Sequence, residues 1–283
     1  MSLPPPSPQA TALITGASSG IGAALAQALA ARGYGTTLVA RDKAQLRHVA
    51  EGLQKYGGRV DVIEADLTDR ADRQNIEEQI KRAGLAVDIL VNSAGAATRA
   101  RIPECDLDTE FAHMELNVVS VVDLCRRFVN DMVDRGSGAI LNVASTAAFR
   151  PLPGQGTYAA SKAFVVAFTR TLRLELQDSP VTVTTLCPGP VATDFARRAG
   201  FSDEDITAIP SIMWESAEDV AAMAVDAMDR GAEFCIPGRA NVADVSLSLL
   251  NTKQQASQAV SRKAAVGPSG SGTPGRSDEV PGL

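Results

Sequence analysis

The amino-acid sequence predicts an α/β fold, a single doubly wound parallel sheet of about seven strands with helices on both faces. Three observations lead to it. Short strand-like runs alternate with segments of helical apolar spacing along nearly the whole chain. A glycine-rich turn, Gly16–Gly22, joins the first strand to the first helix. No internal repeat and no interior linker divides the chain, so residues 10–250 read as one domain.

The elements follow in order. Ala12–Thr15 is the first strand, and an Ala-rich helix, Ile21–Arg32, follows it and closes at Gly33 and Gly35. Thr36–Ala40 is the second strand. Asp42 then caps a helix with Leu46, Val49 and Leu53 on one side, ended by Gly57. Arg59–Glu64 is the third strand, leading past Asp66 to a helix that carries Ile76 and Ile80 and stops near Gly84. Strand four, Val87–Val91, precedes a long helix over Leu107–Asp134; strand five is Ala139–Val143, and the next helix starts at Thr157. Val181–Leu186 alternates β-branched residues as a sixth strand. Ser216 and Asp219 stand at capping-box spacing before a helix that Gly231 closes, and Glu233–Ile236 is the last strand. Residues 1–9 read as a Pro-stiffened disordered lead without the pattern of a secretory signal, and residues 251–283 as a disordered tail.

Composition narrows the function. A net charge of −6 with no basic run argues against a nucleic-acid partner. No apolar stretch is long enough to span a bilayer. Cys105, Cys125, Cys187 and Cys235 are scattered without a CxxC, and with only His48 and His113 beside them no metal site is expected. Reduced thiols in a cytoplasmic protein are the expectation.

In an open parallel sheet, ligands bind beyond the carboxyl ends of the strands. The turn Gly16-Ala17-Ser18-Ser19-Gly20-Ile21-Gly22 lies at such an end. Gly16 permits the tight turn, Gly20 admits close approach of a pyrophosphate, and Gly22 lets helix and strand pack; exposed N–H groups and the helix dipole favour the anion. No Gly-Lys-Ser/Thr follows, so it is not a P-loop. At the end of the second strand an acidic residue would take a ribose 2′-hydroxyl, and Arg a 2′-phosphate. Arg41 stands there and Asp42 is assigned to the helix cap, which points to NADP(H) over NAD(H).

Ser145 ends the fifth strand, Tyr158 follows thirteen residues later, and Lys162 four after that. Tyr158 and Lys162 fall one turn apart on one helix face. A phenol titrates near pH ~10, and an adjacent cation brings it toward the working range. With the Ser145 hydroxyl, the three make a site for moving a proton on or off a substrate oxygen.

The segments TGASSGIG, NSAG after strand four, Ser145 and Tyr158-Ala-Ala-Ser-Lys162 resemble the short-chain dehydrogenase/reductase family, over about residues 10 to 241 of the chain. The resemblance implies a Rossmann-type sheet, hydride exchange with a nicotinamide cofactor between a carbonyl and a secondary alcohol, and these roles. Tyr158 is the general acid or base. Lys162 lowers its pKa and holds the nicotinamide ribose. Ser145 hydrogen-bonds the substrate oxygen, and Asn117 anchors a water linked to Lys162. Asp66 and Leu67 contact the adenine; Asn92, Ala94 and Gly95 line the cofactor. Pro188 and Gly189 begin the loop beside the nicotinamide, with Val191 and Thr193 placed for its carboxamide. Ser93 stands where many members carry a second Asn. The resemblance also implies a homodimer or homotetramer through the Leu107–Asp134 and Thr157–Gln177 helices.

Specificity is expected in Ala96–Glu104, Thr146–Thr157 and the segment after Thr193. Phe195, Phe201, Ile206, Ile209, Ile212, Met213 and Trp214 give the last an apolar side, suited to a lid over a lipophilic substrate or equally to an oligomer contact or core cover. Arg197 and Arg198 read as a solvated pair in preference to contacts with an acidic substrate, His113 as structural, and Val242–Leu250 as a short helix packing on the lid or a neighbour. A non-catalytic NADP(H)-binding sensor or scaffold is the alternative function, which the intact Ser145, Tyr158 and Lys162 oppose.

Overall fold

The computed structural model describes residues 3–265. Strands β1 (Ala10–Thr15), β2 (Thr36–Ala40), β3 (Val60–Glu64), β4 (Ala86–Asn92), β5 (Ala139–Val143), β6 (Thr182–Leu186) and β7 (Phe234–Cys235) form one sheet in the order β3-β2-β1-β4-β5-β6-β7. Every ladder is parallel. The chain winds outward from β1 to β3 and then crosses back to β4 on the other side of β1. That reversal opens a crevice at the carboxyl ends of β1 and β4.

Successive strand residues point to opposite faces, so each strand feeds two cores. Ile14, Ile89 and Leu141 pack with Leu25 of α1 (Gly20–Ala31), Leu46 of α2 (Lys43–Leu53) and Val220 on one face. Leu13, Leu90 and Ile140 pack with Ile76 of α3 (Arg70–Arg82), Leu124 and Val165 on the other. This two-sided burial is why the strands are apolar along their length.

The predicted long helix is two helices, α4 (Leu107–Met114) and α5 (Ser120–Arg135), joined without a break by one wide π turn, Glu115–Val119. Helix α6 (Gly156–Glu175) carries Tyr158 and Lys162. The segment beyond β6 holds two short helices, α7 (Phe195–Arg198) and α8 (Asp203–Thr207), before α9 (Ala217–Asp229). Asp42 caps α2 as expected, its carboxylate accepting from Gln45 N at 3.0 Å. Ser216 caps α9 through Asp219 N, but its hydroxyl donates to the Asp219 carboxylate at 2.7 Å and the reciprocal half of the capping box is absent.

Two expectations about the ends change. In the lead, Leu3 is buried with its N–H on Asp229, and Pro4 O accepts from the Tyr34 hydroxyl at 2.6 Å. The lead therefore packs on the domain through one apolar side chain and two long-range hydrogen bonds. Helix α10 (Arg239–Ala265) takes in residues 251–265 of the expected tail as well as the expected Val242–Leu250 helix; residues 266–283 lie outside the described residues. No helix among the described residues is long and apolar enough to cross a membrane.

Candidate active site

The glycine turn is dictated by contact as much as by conformation. Gly16 adopts φ +65°, and a Cβ there would stand 2.8 Å from Ala94 Cα, against the end of β4. The Thr15 hydroxyl ties that seam, donating to Val91 O and accepting from Ser93 N and Ala94 N at 3.0 and 3.1 Å. Gly20, at φ +56°, faces Thr193 Cγ2 at 3.3 Å from a would-be Cβ. A Cβ on Gly22 would lie 2.3 Å from Gly16 O, a backbone atom that cannot move aside. Gly22→Ala is therefore expected to lower stability by about 1–3 kcal/mol, read as a fall in Tm. Ser18, Ser19 and Ile21 are half-buried around the turn. Ser19 is the N-cap of α1, yet its hydroxyl does not cap the helix. The first-turn N–H groups thus remain available to an anion, a donor set that fits a pyrophosphate.

At the other side of the crevice, exposed Arg41 lies 3.9 Å from the Asp66 carboxylate, and Asp66 also accepts from Thr68 N and Oγ1. Leu67 is buried, and its carbonyl accepts from Arg73 at 2.6 Å. Arg73, itself buried, pairs with Glu115 of the π turn at 3.0 Å and Asp123 of α5 at 2.6 Å. Two carboxylates and a carbonyl compensate the buried guanidinium, which locks the Leu67 loop to the turn bearing Asn117. Asn92, at the end of β4, is expected to line the cofactor with Ala94 and Gly95. Its amide turns inward and donates to Asn142 Oδ1 at 2.8 Å and toward Cys125, leaving its backbone at the crevice.

The catalytic candidates converge at the carboxyl end of β5. The Ser145 hydroxyl donates to Pro188 O at 3.4 Å and accepts from Ala147 N. Lys162 is 5% exposed, and its Nζ donates to Val143 O at 2.9 Å. Burial lowers its pKa to about 8, so the ammonium persists at neutral pH. Its Nζ lies 5.8 Å from the centre of the Tyr158 ring. Burial is the largest influence on Tyr158 and raises its phenol above the ordinary range, while the Ser145 hydroxyl acts in the opposite sense. Desolvation, not the Lys162 cation, sets the direction of the shift.

Asn117 is fully buried in the π turn. Its Oδ1 accepts from Ala96 N at 3.0 Å and its Nδ2 donates to Ala96 O at 2.8 Å and to Ser161 Oγ. The expected water anchor is therefore first a clamp on the chain after Gly95. A Cβ on Gly95 would stand 3.3 Å from both Asn117 Oδ1 and Lys162 Nζ, so a bare glycine backbone separates the crevice from these two groups.

The loop after β6 brings the remaining residues in. Pro188 O accepts from Thr146 N at 2.9 Å, and Gly189 packs against the Asn241 amide so tightly that no Cβ would fit. Buried Asn241 of α10 donates to Met213 O and Pro237 O, joining this loop to the segment that follows Thr193. Val191 bridges Glu215, and Thr193 Oγ1 accepts from Phe195 N. The three segments expected to set specificity do meet: Arg99 N donates to Ala199 O, and Ala100 N donates to Gly154 O. Arg99 also pairs with Asp205 at 2.5 Å and lies over the Phe201 ring. Phe195 stands 5.8 Å, ring to ring, from Tyr158. His113 accepts or donates at Thr98 Oγ1. Arg73 and Asn241 escaped sequence reasoning as site residues; Thr15 reads there only as the first residue of the glycine turn, and Arg198, whose guanidinium reaches Ser19, as half of a solvated pair.

Comparison with known proteins identifies the family. Residues 10–204 match the family model of the short chain dehydrogenases. The very-long-chain 3-oxoacyl-CoA reductase of Anas platyrhynchos is 37% identical over 195 residues, 66% of this chain and 62% of the relative. Among solved structures, a short-chain dehydrogenase from Sphingobium yanoikuyae in complex with NADPH has TM-score 0.76 and 32% identity, covering 88% of this chain and 95% of that one. One from Burkholderia phymatum in complex with NAD has TM-score 0.78 and 26% identity, covering 87% and 95%. With its seven-stranded parallel sheet and matched sequence, this chain belongs to the short-chain dehydrogenase/reductase family, NAD(P)-dependent oxidoreductases of CH–OH and C=O groups.

Proposed function

We propose that the protein is an NADP(H)-preferring reductase of a lipophilic carbonyl compound, with Tyr158 as the general acid. The observation that carries this is the convergence of Ser145, Tyr158 and a buried Lys162 at the end of β5, beside the crevice between β1 and β4. The glycine turn would hold the pyrophosphate, Asp66 and Leu67 the adenine, Arg41 the 2′-phosphate, and Pro188, Gly189, Val191 and Thr193 the nicotinamide end. Ala94 and Gly95 line the space between. When bound, the dinucleotide supplies hydride at its nicotinamide ring.

The chain's own groups handle the oxygen. As negative charge develops there, the Ser145 hydroxyl donates a hydrogen bond and Tyr158 transfers its proton. The buried Lys162 ammonium stabilises the phenolate left behind, in surroundings of low dielectric where charge acts strongly. Asn117, through Ala96 and Ser161, positions rather than reacts. In the oxidative direction Tyr158 accepts the proton instead.

Support for a lipophilic substrate comes from Phe195 against Tyr158, from the half-buried Phe201, Ile206 and Trp214 in the same segment, and from the similarity to a reductase of very-long-chain 3-oxoacyl-CoA. Dimer or tetramer formation through α4, α5 and α6 belongs to the same proposal. It is supported by exposed Leu107, Phe111, Met114 and Phe164 and by a groove of about 680 Å³ between α5 and α6.

Direct titration with NADPH and NADH, followed by fluorescence, tests the cofactor. NADPH is expected to bind more tightly, and Arg41→Ala to weaken NADPH at least about tenfold while sparing NADH, since one charge-assisted contact to phosphate is lost. Tighter binding of NADH by the wild type overturns the assignment.

A further inference from the structure

We propose that Arg198 is a pyrophosphate ligand, delivered by α7 from the far wall of the crevice, so that dinucleotide binding and the covering of Tyr158 are one event. The inference rests on the reading of the glycine turn as a nicotinamide-dinucleotide site. Its first support is position. Both terminal nitrogens of the Arg198 guanidinium lie 3.3–3.4 Å from Ser19 Oγ, at the N-cap of α1, the place assigned to the phosphates.

The second support is electrostatic. The neighbouring arginines have carboxylates: Arg197 pairs with Asp203 at 2.9 Å and Arg99 with Asp205 at 2.5 Å. Among the described residues, none lies within salt-bridge distance of Arg198. A cation held over the positive end of a helix dipole, with only a neutral hydroxyl as partner, is poorly matched until an anion joins it. A pyrophosphate bridging the guanidinium and the first-turn N–H groups satisfies both, with the two-pronged geometry that Arg favours.

The third support is mechanical. Phe195, on the same short helix, lies against the Tyr158 ring, and Thr193 just before it faces Gly20 of the turn. Thus α7 touches the phosphate turn at one end and the proton donor at the other. An open hollow of about 380 Å³ lies beside it, bordered by Thr193, Ala196, Arg197 and Trp214. The exposed Arg198 side chain anchors no core, so its replacement leaves folding intact.

The test measures Kd for NADPH and for NADH in the wild type, Arg198→Ala, Arg198→Lys and Arg41→Ala. Because the pyrophosphate is common to both dinucleotides, Arg198→Ala is expected to weaken the two by the same factor, about tenfold, and Arg198→Lys to retain part of the affinity. Trp214, the only tryptophan, borders α7 and reports the coupling. Its emission is expected to change on saturation with NADP⁺ in the wild type and to change less in Arg198→Ala. Unchanged Kd values in Arg198→Ala, or a loss confined to NADPH, overturn the proposal, and equal Trp214 responses overturn the coupling. If the wild type binds neither dinucleotide, the site reading itself fails and takes the inference with it. Tight wild-type binding with an indifferent Arg198→Ala defeats the inference alone.

Discussion

Tyr158→Phe is expected to reduce turnover about a thousandfold while leaving dinucleotide Kd within about twofold of wild type. The substitution keeps the ring, and with it the contact to Phe195 at 5.8 Å and the packing of α6, and removes only the hydroxyl. That hydroxyl is held protonated by burial, so in the reductive direction it is present as the acid throughout the neutral range. Losing it removes an interaction made chiefly in the transition state, which appears in kcat rather than in cofactor affinity. Stopped-flow or steady-state rates with a hydrophobic ketone and NADPH read the effect. Near-wild-type turnover would remove Tyr158 from the chemistry.

Lys162→Met is expected to separate catalysis from stability. Turnover should fall at least about a hundredfold, because the phenolate loses its cation. Stability should move the other way at neutral pH. Burial depresses the Lys162 pKa from 10.5 to about 8 in the folded chain. Between those values the unfolded chain binds more protons, so wild-type stability gains from this residue as pH rises from about 8 toward 10.5, and the cost of the buried charge is fully present below about 8. At ~1.36 kcal/mol per unit, that cost is about 3 kcal/mol. The Met variant lacks it and should be more stable than wild type by up to about 3 kcal/mol at pH 7, the gap closing toward pH ~10. Urea midpoints at a series of pH values measure it; a gap independent of pH rules out a buried charged Lys162.

What the sequence made legible, and what it hid, follows from the range of the forces involved. Strand bounds for β2 and β5 agree with expectation to the residue because apolar runs and flanking glycines are local signals. Helical period set Tyr158 and Lys162 one turn apart, the family resemblance gave them their roles, and the glycine turn stood out by its spacing. The π turn at Glu115–Val119 was invisible, since one extra residue in a turn barely disturbs an apolar stripe. Asn92 matched the family pattern, but its side-chain direction depends on Asn142, fifty residues away. Arg198 meets Ser19 across 179 residues, and Leu3 meets Asp229 across 226. Such pairings leave no mark on the spacing of either partner, which is why the arginine read as solvated and the lead as disordered.

The buried Arg73 joins the loop expected at the adenine to the π turn that carries Asn117, through Leu67 O on one side and Glu115 on the other. The two ends of the cofactor crevice therefore share one rigid strut. Redesign of nucleotide preference in this protein is not a local graft: a change that shifts the β3–α3 loop is transmitted to Ala96 and to the neighbourhood of Lys162. On the proposed reading, exposed Arg41, which lies outside that strut, is the position where a change of preference is expected to leave Tyr158 and Lys162 in place.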